Sequence, residues 1–497
     1  MPLTRKAIAG STRARAAVAG LAVASVITGA LLAGDRDVAA EQTDNRPNIV
    51  VILTDDQDTS SLRVMKQTRR LLVRKGVKFN RHYATFPLCC PSRASYLTGQ
   101  FSHNHGVRGN RQPEGGFLEL DDSATAAVSM RAAGYKTAWI GKFLNGYGNY
   151  ARGNPDDIPD GFNRFYAGLT SRMYDWVVND DGEIRRLPKS DQNYQTDVYT
   201  RQSKRFMRAK LRRGKPFFLT IAPLAPHGEP KRDAVPNPRP APRHANKFTH
   251  AKLPHPASFN EKDVSDKPLF IRRQNRLDIA KRRKVRDRYR SRLASLLAVD
   301  DMVHAVVREL RRGGELDNTW IIFTSDNGYS LGEHRHTGKT LLYEESAKVP
   351  MIVRGPGVPR GATHSEPTAN IDLMPTILQL GDASAQAPVD GVSVRSVARN
   401  PGAETGRVLL LENRNSAGVQ DGRYSYLEHD TDDDGQVDEY EFYDLKTDRA
   451  QMDNLHTLDA PVLRPDVVSE RPGLVDVRDS LADQLDDLRD CVGAQCH

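Results

Sequence analysis

Four continuous apolar segments constrain the fold of this chain more strongly than any other feature of its sequence. They span residues 49–53, 135–140, 217–222 and 320–324 of the 497. Runs of this kind, rich in β-branched and aromatic residues, are typical of strands buried in a parallel sheet. Apolar residues also recur at three- and four-residue spacing from Tyr289 to Leu310, before Gly313, and residues 123–133 give another such helix. Strand–helix–strand units with right-handed crossovers predict a doubly wound α/β domain.

The last hundred residues have a different pattern. Residues 423–427 and 440–445 predict two paired antiparallel strands, and residues 474–489 predict a closing helix. We therefore expect an α/β domain over residues 41–404. A smaller α+β domain that contains an antiparallel sheet would follow over residues 405–497.

Residues 1–40 predict a secretory signal peptide. Basic residues precede an apolar run at 16–33, and small residues at 38–40 provide a cleavage site. An uncleaved anchor is the alternative, because the run is nearly long enough to span a bilayer. No second long apolar run follows, so we expect export without stable membrane insertion after cleavage, to a secreted, periplasmic or anchored location. Cys491 and Cys496 suit a short-loop disulfide in an oxidising compartment.

Acidic and amide side chains directly follow two of the apolar runs. Asp55 and Asp56 follow the first, and Asp326 and Asn327 follow the fourth. Open α/β sheets bind ligands at the carboxyl ends of their strands, so these side chains should meet. Adjacent carboxylates repel each other unless a cation lies between them, and four oxygen ligands suit Ca²⁺, with Mg²⁺ as the second choice. Ordinary solvated loop acids are the alternative.

A cysteine motif lies between the first two runs. Residues 89–99 read CCPSRASYLTG. Pro91 suits the first turn of a helix and Ser92 can cap it, which would place Cys89 just before the helix N-terminus. Anions bind at that position, and Arg93 adds a guanidinium shaped for tetrahedral oxyanions. The alternative is an ordinary buried pair, Cys89 and Cys90, at a helix start.

This stretch resembles the type I sulfatases, the formylglycine-dependent family of the alkaline-phosphatase-like superfamily. It matches their signature C-x-P-S-R-x-x-x-L-T-G at every position. In that family a separate formylglycine-generating enzyme oxidises the first cysteine, here Cys89, to Cα-formylglycine, whose hydrated aldehyde is the nucleophile. The resemblance implies an alkaline-phosphatase-like fold with a mixed sheet. It also implies a Ca²⁺ ion that is held against the modified Cys89 by Asp55, Asp56, Asp326 and Asn327.

The resemblance extends to residues that would contact the sulfate. Lys142, which follows Gly141, and Lys339 resemble the sulfate-binding lysines of the family, and His227 matches its active-site histidine. The implied mechanism is an in-line attack on sulfur while Ca²⁺, Arg93 and the lysines hold the sulfuryl oxygens. His227 would protonate the departing alcohol, and elimination of sulfate would regenerate the aldehyde.

One position departs from the arylsulfatase pattern. Many arylsulfatases have a histidine two residues after the first lysine, where this chain has Leu144 followed by Asn145. The form Gly-Lys-aromatic-Leu-Asn instead resembles the N-acetylglucosamine-6-sulfatase branch. This leaves open which group assists the hydrated aldehyde. His334 and His336 are candidates, and exposed loop histidines without a catalytic role are the alternative.

Residues 430–441 satisfy the D-x-D-x-D-G-x₅-E pattern of an EF-hand calcium loop. The flanks read as hairpin strands, so a true EF-hand is not expected. Either the segment is an acidic hairpin turn, or it is a second, structural Ca²⁺ loop. The candidate ligands are Asp430, Asp432, Asp434, Gln436 and Glu441.

Basic charge is concentrated in one segment. The whole chain has a net charge of +9, whereas residues 231–292 alone contain 19 Lys or Arg against 6 Asp or Glu. The segment is either a set of solvated helix faces or a rim that attracts a polyanion such as a sulfated polysaccharide. Nucleic acid fits less well, because export is expected and aromatic residues do not interleave with the basic ones.

These features together predict a sulfatase that hydrolyses sulfate esters. The expected substrates are sulfated sugars of the glycosaminoglycan or N-acetylglucosamine-6-sulfate type, or aryl sulfates. One alternative is a phosphate mono- or diester hydrolase on the same scaffold, since the metal and anion-binding groups would accept either tetrahedral anion. The other is an inactive homologue that binds polyanions.

Overall fold

The structure, a computed structural model, describes residues 44–148, 156–211, 214–230 and 237–497, and the expected signal peptide at 1–40 lies outside them. The strands are β1 (Asn48–Thr54), β2 (Val77–Phe79), β3 (His82–Tyr83), β4 (Lys136–Lys142), β5 (Arg164–Gly168), β6 (Trp176–Asp180), β7 (Glu183–Leu187), β8 (Phe217–Ala222), β9 (Thr319–Ser325), β10 (Ser330–Leu331), β11 (Thr337–Gly338), β12 (Met351–Arg354), β13 (Ala362–His364), β14 (Thr368–Ala369), β15 (Leu409–Glu412), β16 (Ser416–Gln420), β17 (Tyr424–His429) and β18 (Glu439–Asp444). The α-helices are α1 (Lys66–Leu71), α2 (Cys89–Thr98), α3 (Ser102–His105), α4 (Ala126–Ala132), α5 (Gln195–Leu211), α6 (Leu269–Arg272), α7 (Ile279–Arg312), α8 (Glu344–Ala347), α9 (Leu373–Gly381), α10 (Arg395–Arg399), α11 (Pro465–Glu470) and α12 (Leu474–Arg489).

A ten-stranded mixed sheet organises the fold. Its order is β13-β2-β12-β9-β1-β8-β4-β5-β6-β7. The five central strands, from β9 to β5, are parallel, while β12 on one side and β6 and β7 on the other are antiparallel to their neighbours. The strands predicted from the four apolar runs are therefore the four adjacent strands β9, β1, β8 and β4. This is the expected doubly wound α/β architecture with a mixed sheet.

Two helical layers cover the sheet because β1 is apolar on both faces. Ile49, Val51 and Leu53 pack with residues of α2, α4 and α9. Val50 and Ile52 pack on the opposite face with residues of α1, α5 and α7. Successive strand residues point to opposite faces, so a continuous apolar run is what a strand between two helical layers requires.

A second sheet lies near the C-terminus. Strands β15, β16, β17 and β18 form an antiparallel meander, and the predicted pairing of β17 with β18 is confirmed. The predicted helix at 474–489 is α12, and the predicted Cys491–Cys496 disulfide is present. This sheet shares one apolar cluster with earlier residues that include Tyr343 and Ile371. The boundary between residues 404 and 405 stays a prediction.

Among the described helices, none combines the length and the apolar composition that a bilayer crossing requires.

Candidate active site

Four adjacent strands bring the predicted residues to one edge of the sheet. Thr54 at the end of β1 pairs with Ser325 at the end of β9, so Asp55 and Asp326 come directly after paired residues. Lys142 ends β4 and is buried beside Asp55. His227 follows β8, the strand between β1 and β4. The expected convergence at the carboxyl ends of parallel strands is therefore what the fold produces.

Gly141 explains how Lys142 reaches this edge. Its φ is +143°, and a Cβ at this position would lie 2.1 Å from the carbonyl oxygen of Ala222 on the neighbouring strand β8. A side chain here would push β4 away from β8. The Gly-Lys pair thus lets the strand continue while the lysine turns toward the acidic residues.

Helix α2 provides Cys89 and Arg93. The helix begins at Cys89, and the preceding Leu88 makes no side-chain cap. The expectation that Ser92 caps the helix is wrong, because its hydroxyl accepts a hydrogen bond from Asn370 Nδ2 at 3.0 Å and is turned toward that loop. Positions 89 and 93 are one turn apart, so both side chains lie on one buried face of the helix.

The Cys89 sulfur lies in a dense array of charges. Its Sγ is 2.6 Å from Lys339 Nζ and 3.5 Å from Asp55 Oδ1. Lys142 Nζ is 2.6 Å from Asp55 Oδ2, and Lys339 Nζ is 2.5 Å from Asp56 Oδ1. A negatively charged group that enters beside the sulfur would therefore meet two ammonium groups at once.

Arg93 is largely occupied by protein partners. Its Nε donates to Asp326 Oδ2 at 2.8 Å and its Nη1 donates to the Lys142 carbonyl at 2.7 Å. Its buried Nη2 has no hydrogen-bond partner among the described residues and lies 3.6 Å from Asp55 Oδ2. The guanidinium thus fixes Asp326 and Lys142 in place and leaves one nitrogen for a ligand.

His227 lies where the site opens to solvent. Its Nδ1 is 2.6 Å from the Gly228 carbonyl oxygen, and its Nε2 is 3.8 Å from Asp56 Oδ2. A carbonyl can only accept, so the hydrogen-bond pattern assigns a proton to Nδ1. Nε2 is then left to exchange a proton with a ligand in the pocket.

The charges shift the pKa values of the buried acids in different directions. Burial alone would raise the pKa of Asp55, but Lys142 and His227 outweigh it and the pKa falls below its ordinary value. Lys339 and His227 do the same for Asp56. Burial, then the nearby Asp55 charge, raises the pKa of Asp326. Burial also raises the pKa of Cys89 to about 12, so the unmodified thiol stays protonated at neutral pH and is a poor nucleophile.

The donor atoms fit a hard divalent cation. Ligand atoms of Asp55, Asp56, Cys89 and His227 lie within 4.8 Å of one another. Asn327 Nδ2 donates to Asp56 Oδ1 at 2.8 Å, while its buried Oδ1 has no hydrogen-bond partner among the described residues. An amide oxygen beside several carboxylates is a ligand type that Ca²⁺ and Mg²⁺ use.

Three residues of the pocket wall were not predicted as site residues. A cavity of about 230 Å³ is lined by His227 and Lys339 and also by Arg288, Arg292 and Tyr329. Both arginines lie at the end of the basic segment, four residues apart on α7. In the sequence, the two arginines show only this four-residue spacing within a helical pattern, which does not distinguish a packed face from a solvated one. Tyr329 directly follows Asp326-Asn327-Gly328.

Neither of the two loop histidines is fully exposed, in contrast to the interpretation of them as exposed loop residues. His334 is buried, and its Nδ1 is 2.7 Å from Glu261 Oε2. His336 is half-buried, with its Nε2 3.3 Å from the Lys339 carbonyl. Neither ring belongs to the group of potential metal ligands around Cys89 among the described residues. His336 therefore supports the backbone of Lys339, and a direct catalytic role for either histidine stays untested.

The acidic segment gathers only part of its predicted ligand set. Carboxylate oxygens of Asp430, Asp432 and Asp438 lie within 4.8 Å of one another. Glu441 is not among them, so its assignment as a loop ligand is wrong. It lies in β18 with its carboxylate turned into the core, where it accepts from Tyr343 at 2.7 Å and contacts His429. Asp434, predicted as a ligand, is exposed and outside this group. Gln436 is also exposed, and its role as a ligand stays a prediction.

Comparison with known proteins identifies the family to which the sequence is similar. The family model described as Sulfatase matches residues 47–383, and a model described as N-sulphoglucosamine sulphohydrolase, C-terminal, matches residues 332–462. The chain is 35% identical over 405 residues to an arylsulfatase of Volvox carteri, covering 75% of this chain and 61% of the relative. It is 34% identical over 377 residues to the N-acetylglucosamine-6-sulfatase of Homo sapiens, covering 74% of this chain and 67% of the relative.

A solved structure shares most of the fold. It is a protein in complex with its substrate D-glucosamine-2-N,6-O-disulfate, with a TM-score of 0.73 and 25% identity, and the match covers 89% of this chain and 99% of the other. The signature around Cys89, the meeting of the strand ends and the match of the family model over two thirds of the sequence agree. The chain therefore belongs to the sulfatase family.

Proposed function

We propose that this protein hydrolyses sulfate esters at the site around Cys89. The observation that carries the proposal is the buried array in which Cys89 Sγ lies 2.6 Å from Lys339 Nζ and 3.5 Å from Asp55 Oδ1. Lys142 and Arg93 add positive charge beside the same carboxylates. A tetrahedral anion with its reacting atom next to position 89 would be held by fixed cations in a water-poor pocket.

Two groups that the chain itself does not encode complete this site. Conversion of Cys89 to formylglycine by a formylglycine-generating enzyme would supply the hydrated aldehyde as nucleophile, which the protonated thiol does not provide. Ca²⁺, held by Asp55, Asp56, Asp326 and Asn327, would supply Lewis-acid charge to the sulfuryl oxygens. The clustering of Asp55 and Asp56 beside Cys89 and the unpartnered Asn327 Oδ1 support that assignment. Asp326 lies outside that cluster and accepts from Arg93, so its place among the ligands is part of the proposal.

The residues of the chain have separate tasks in this proposal. Lys142 and Lys339 bind the sulfuryl oxygens, and Arg93 holds Asp326 and Lys142 in position through its two hydrogen bonds. His227, whose Nδ1 is tied to the Gly228 carbonyl, donates a proton from Nε2 to the departing alkoxide. The pocket opening beside His227 is where the alcohol part of the substrate would lie.

We propose 6-sulfated glucosamine units as the preferred substrates, with aryl sulfates as simpler ones. The Gly-Lys-Phe-Leu-Asn form at residues 141–145 and the named activities of the relatives support this choice. We also propose export, on the signal-peptide pattern at residues 1–40 and the Cys491–Cys496 disulfide.

The first test combines a mass measurement with an assay. Trypsin should release the peptide of residues 82–93, which contains both Cys89 and Cys90. In protein from a host that makes the modifying enzyme, we expect a loss of about 18 Da, from exchange of a thiol for an aldehyde. Fragment ions should place the change at position 89. The same protein should release sulfate from an aryl sulfate and from N-acetylglucosamine 6-sulfate.

The controls separate the alternatives. A Cys89→Ala variant should lose the mass change and the activity, while Cys90→Ala should keep the mass change. A modified protein that turns over an aryl phosphate faster than the aryl sulfate would favour the phosphate-ester alternative. A modified protein that binds heparin-like polymers and releases no sulfate would favour the polyanion-binding alternative. A Cys89→Ser variant with wild-type turnover would contradict the nucleophile assignment.

A further inference from the structure

Arg288 is a buried cation that forms no ion pair with any carboxylate in the described part of the chain. Its side chain lies on α7 in the pocket wall, and the residue is only 7% exposed. It contacts the Tyr329 hydroxyl through Nη1, and its guanidinium carbon lies 5.4 Å from the centroid of the Tyr329 ring. Its buried Nε has no hydrogen-bond partner among the described residues. Burial lowers the pKa of Arg288 below its ordinary value, as expected for a charge removed from water.

Arg292, one turn further along α7, shows the contrast. Its Nη2 donates to the Asp56 carbonyl at 2.5 Å and lies 3.3 Å from Asp58 Oδ2. It also stacks on Tyr329, at 4.5 Å from the ring centroid. Asp56 has a left-handed φ of +65°, and the hydrogen bond from Arg292 helps hold that backbone at the metal edge. Arg292 therefore has an anionic partner in Asp58 and a structural task, although its buried Nε, like that of Arg288, has no hydrogen-bond partner among the described residues. Its charge repels Arg288.

No carboxylate of the described residues forms an ion pair with the Arg288 guanidinium, although other ionisable side chains line the same cavity. His227 and Lys339 line the same cavity, and both bring donors rather than a compensating negative charge. Asp56 also lines it, and its negative charge acts to raise the pKa of Arg288, but its Oδ1 is engaged by Lys339 and Asn327 and it forms no ion pair with Arg288. A buried charge without an ion pair among the described residues is costly, so an anion supplied by a ligand would stabilise Arg288.

We propose that Arg288 binds a second oxyanion group of the substrate, separate from the sulfate ester that is hydrolysed. The inference rests on the proposed function, because the first sulfate is assigned to Lys142 and Lys339. A planar guanidinium whose Nε has no hydrogen-bond partner among the described residues suits the oxygens of a sulfate or a carboxylate. The cavity of about 230 Å³ lies below the roughly 300–1,000 Å³ of drug-sized ligand pockets and suits about one sugar ring.

Two sources could supply this second oxyanion. It is either an N-sulfate on the ring that carries the 6-sulfate or a uronate carboxylate on the adjoining sugar. Three substrates distinguish them: N-acetylglucosamine 6-sulfate, N-sulfoglucosamine 6-sulfate, and a disaccharide of a uronic acid with N-acetylglucosamine 6-sulfate. The first has no second anion, and each of the others has one.

The test compares kcat/KM of wild type and Arg288→Gln on the three substrates. We expect a loss of about tenfold or more on whichever substrate carries the recognised anion, and a change below about threefold on N-acetylglucosamine 6-sulfate. Arg288→Lys keeps the charge and should restore part of the loss. Lys284→Gln removes an exposed charge one helical turn earlier and should leave all three values unchanged.

An equal loss on all three substrates, or no loss on any, would overturn the proposal. Thermal melting establishes whether Arg288→Gln is folded. If Arg288→Gln is not folded, kcat/KM of the wild type and of Arg288→Lys on the three substrates provides the test. A wild type that prefers neither doubly anionic substrate contradicts the proposal. Calorimetric titration with N-sulfoglucosamine and with the uronic acid disaccharide lacking the 6-sulfate tests Arg288 without turnover. Weaker binding of one of them to Arg288→Lys or Arg288→Gln would support the second-anion site even if no sulfate ester is cleaved.

Discussion

Lys142 links the fold to the proposed chemistry at the scale of a single residue. It ends β4, its ammonium is 2.6 Å from Asp55 Oδ2, and its carbonyl holds Arg93. Burial opposes its charge, but Asp55 outweighs burial and raises the pKa of Lys142, so it stays protonated. A fixed, fully charged donor of this kind is most effective where negative charge develops in the transition state.

We expect Lys142→Ala to lower kcat/KM for an aryl sulfate by about 10²-fold, since it removes one preorganised cation. The matched control is Lys136→Ala at the other end of the same strand, which should stay within about twofold of wild type because surface charges contribute little. Steady-state kinetics on the modified protein measures both. Equal activity of wild type and Lys142→Ala would remove the lysine from the sulfate-binding set.

The metal assignment is testable at Asn327 without measuring activity. Its Oδ1 is buried and unpartnered among the described residues. After treatment with a chelator, Ca²⁺ at 100 times its Kd should stabilise the wild type by about 2.7 kcal/mol. Asn327→Ala should need at least about tenfold more Ca²⁺ for the same rise in Tm. Asn318→Ala, just before the start of β9, should respond to Ca²⁺ as the wild type does. Identical Ca²⁺ responses in Asn327→Ala and the wild type would exclude this oxygen as a ligand.

At the scale of elements, the short helix α3 joins the α/β core to the C-terminal sheet. His103 Nδ1 is 3.2 Å from Glu412 Oε2 at the end of β15, and His103 Nε2 is 3.1 Å from the Cys491 carbonyl oxygen. Burial opposes protonation of this ring, but the hydrogen bond with Glu412 outweighs burial and raises the pKa of His103. Asp390 adds to this effect. Both ring nitrogens face acceptors, so the imidazolium form fits best.

This arrangement predicts a pH-dependent contribution to stability. A raised folded-state pKa stabilises fully below the unfolded value of about 6.5, and the stabilisation is lost as the pH rises through the folded-state pKa. We expect His103→Gln to lower the free energy of unfolding by about 1 kcal/mol more at pH 5.5 than at pH 8.5. Urea unfolding at the two pH values measures this difference. The exposed His250→Gln should show none, and an equal loss at both pH values would contradict a charged His103.

The elements differ in how well the sequence predicts them. Strands β1, β4, β8 and β9 were predicted because each is a continuous apolar run between two helical layers. Strands β6 and β7 were missed, because they are short five-residue strands at one end of the sheet. β7 is its edge strand and carries charged residues such as Arg185 and Arg186. Their pairing is set by a turn and by neighbouring strands, and single-strand periodicity does not reveal it.

The site residues also differ in how well the sequence predicts them. Residues at strand ends, such as Asp55 and Lys142, were predictable because parallel topology brings those ends together. Arg288 and Arg292 were not, because a basic helical segment looks the same whether its faces are solvated or packed. Only the packing of α7 across the sheet turns these two inward while leaving residues 281–284 exposed.

At the scale of the whole molecule, positively charged residues extend along helix α7 from the exposed surface to the pocket wall. The net charge of +9 is concentrated in residues 231–292, and α7 carries four consecutive exposed cations at residues 281–284 before Arg288 enters the pocket wall. Such a gradient would draw a polyanionic chain toward the site, and the attraction would be screened by salt. A single sulfated sugar is too small to contact both ends of this path.

The activity on a long substrate should therefore depend on salt more strongly than the activity on a single sugar. Between about 50 and 500 mM NaCl, kcat/KM for a 6-sulfated polysaccharide should fall by about tenfold, against less than about threefold for N-acetylglucosamine 6-sulfate. Replacing Lys281, Arg282, Arg283 and Lys284 together by Gln should remove most of this difference and leave the monosaccharide value unchanged. If the polysaccharide shows the same salt dependence in the variant and the wild type, these four residues are an ordinary solvated helix face, and the approach of a polyanion is directed by other parts of the surface.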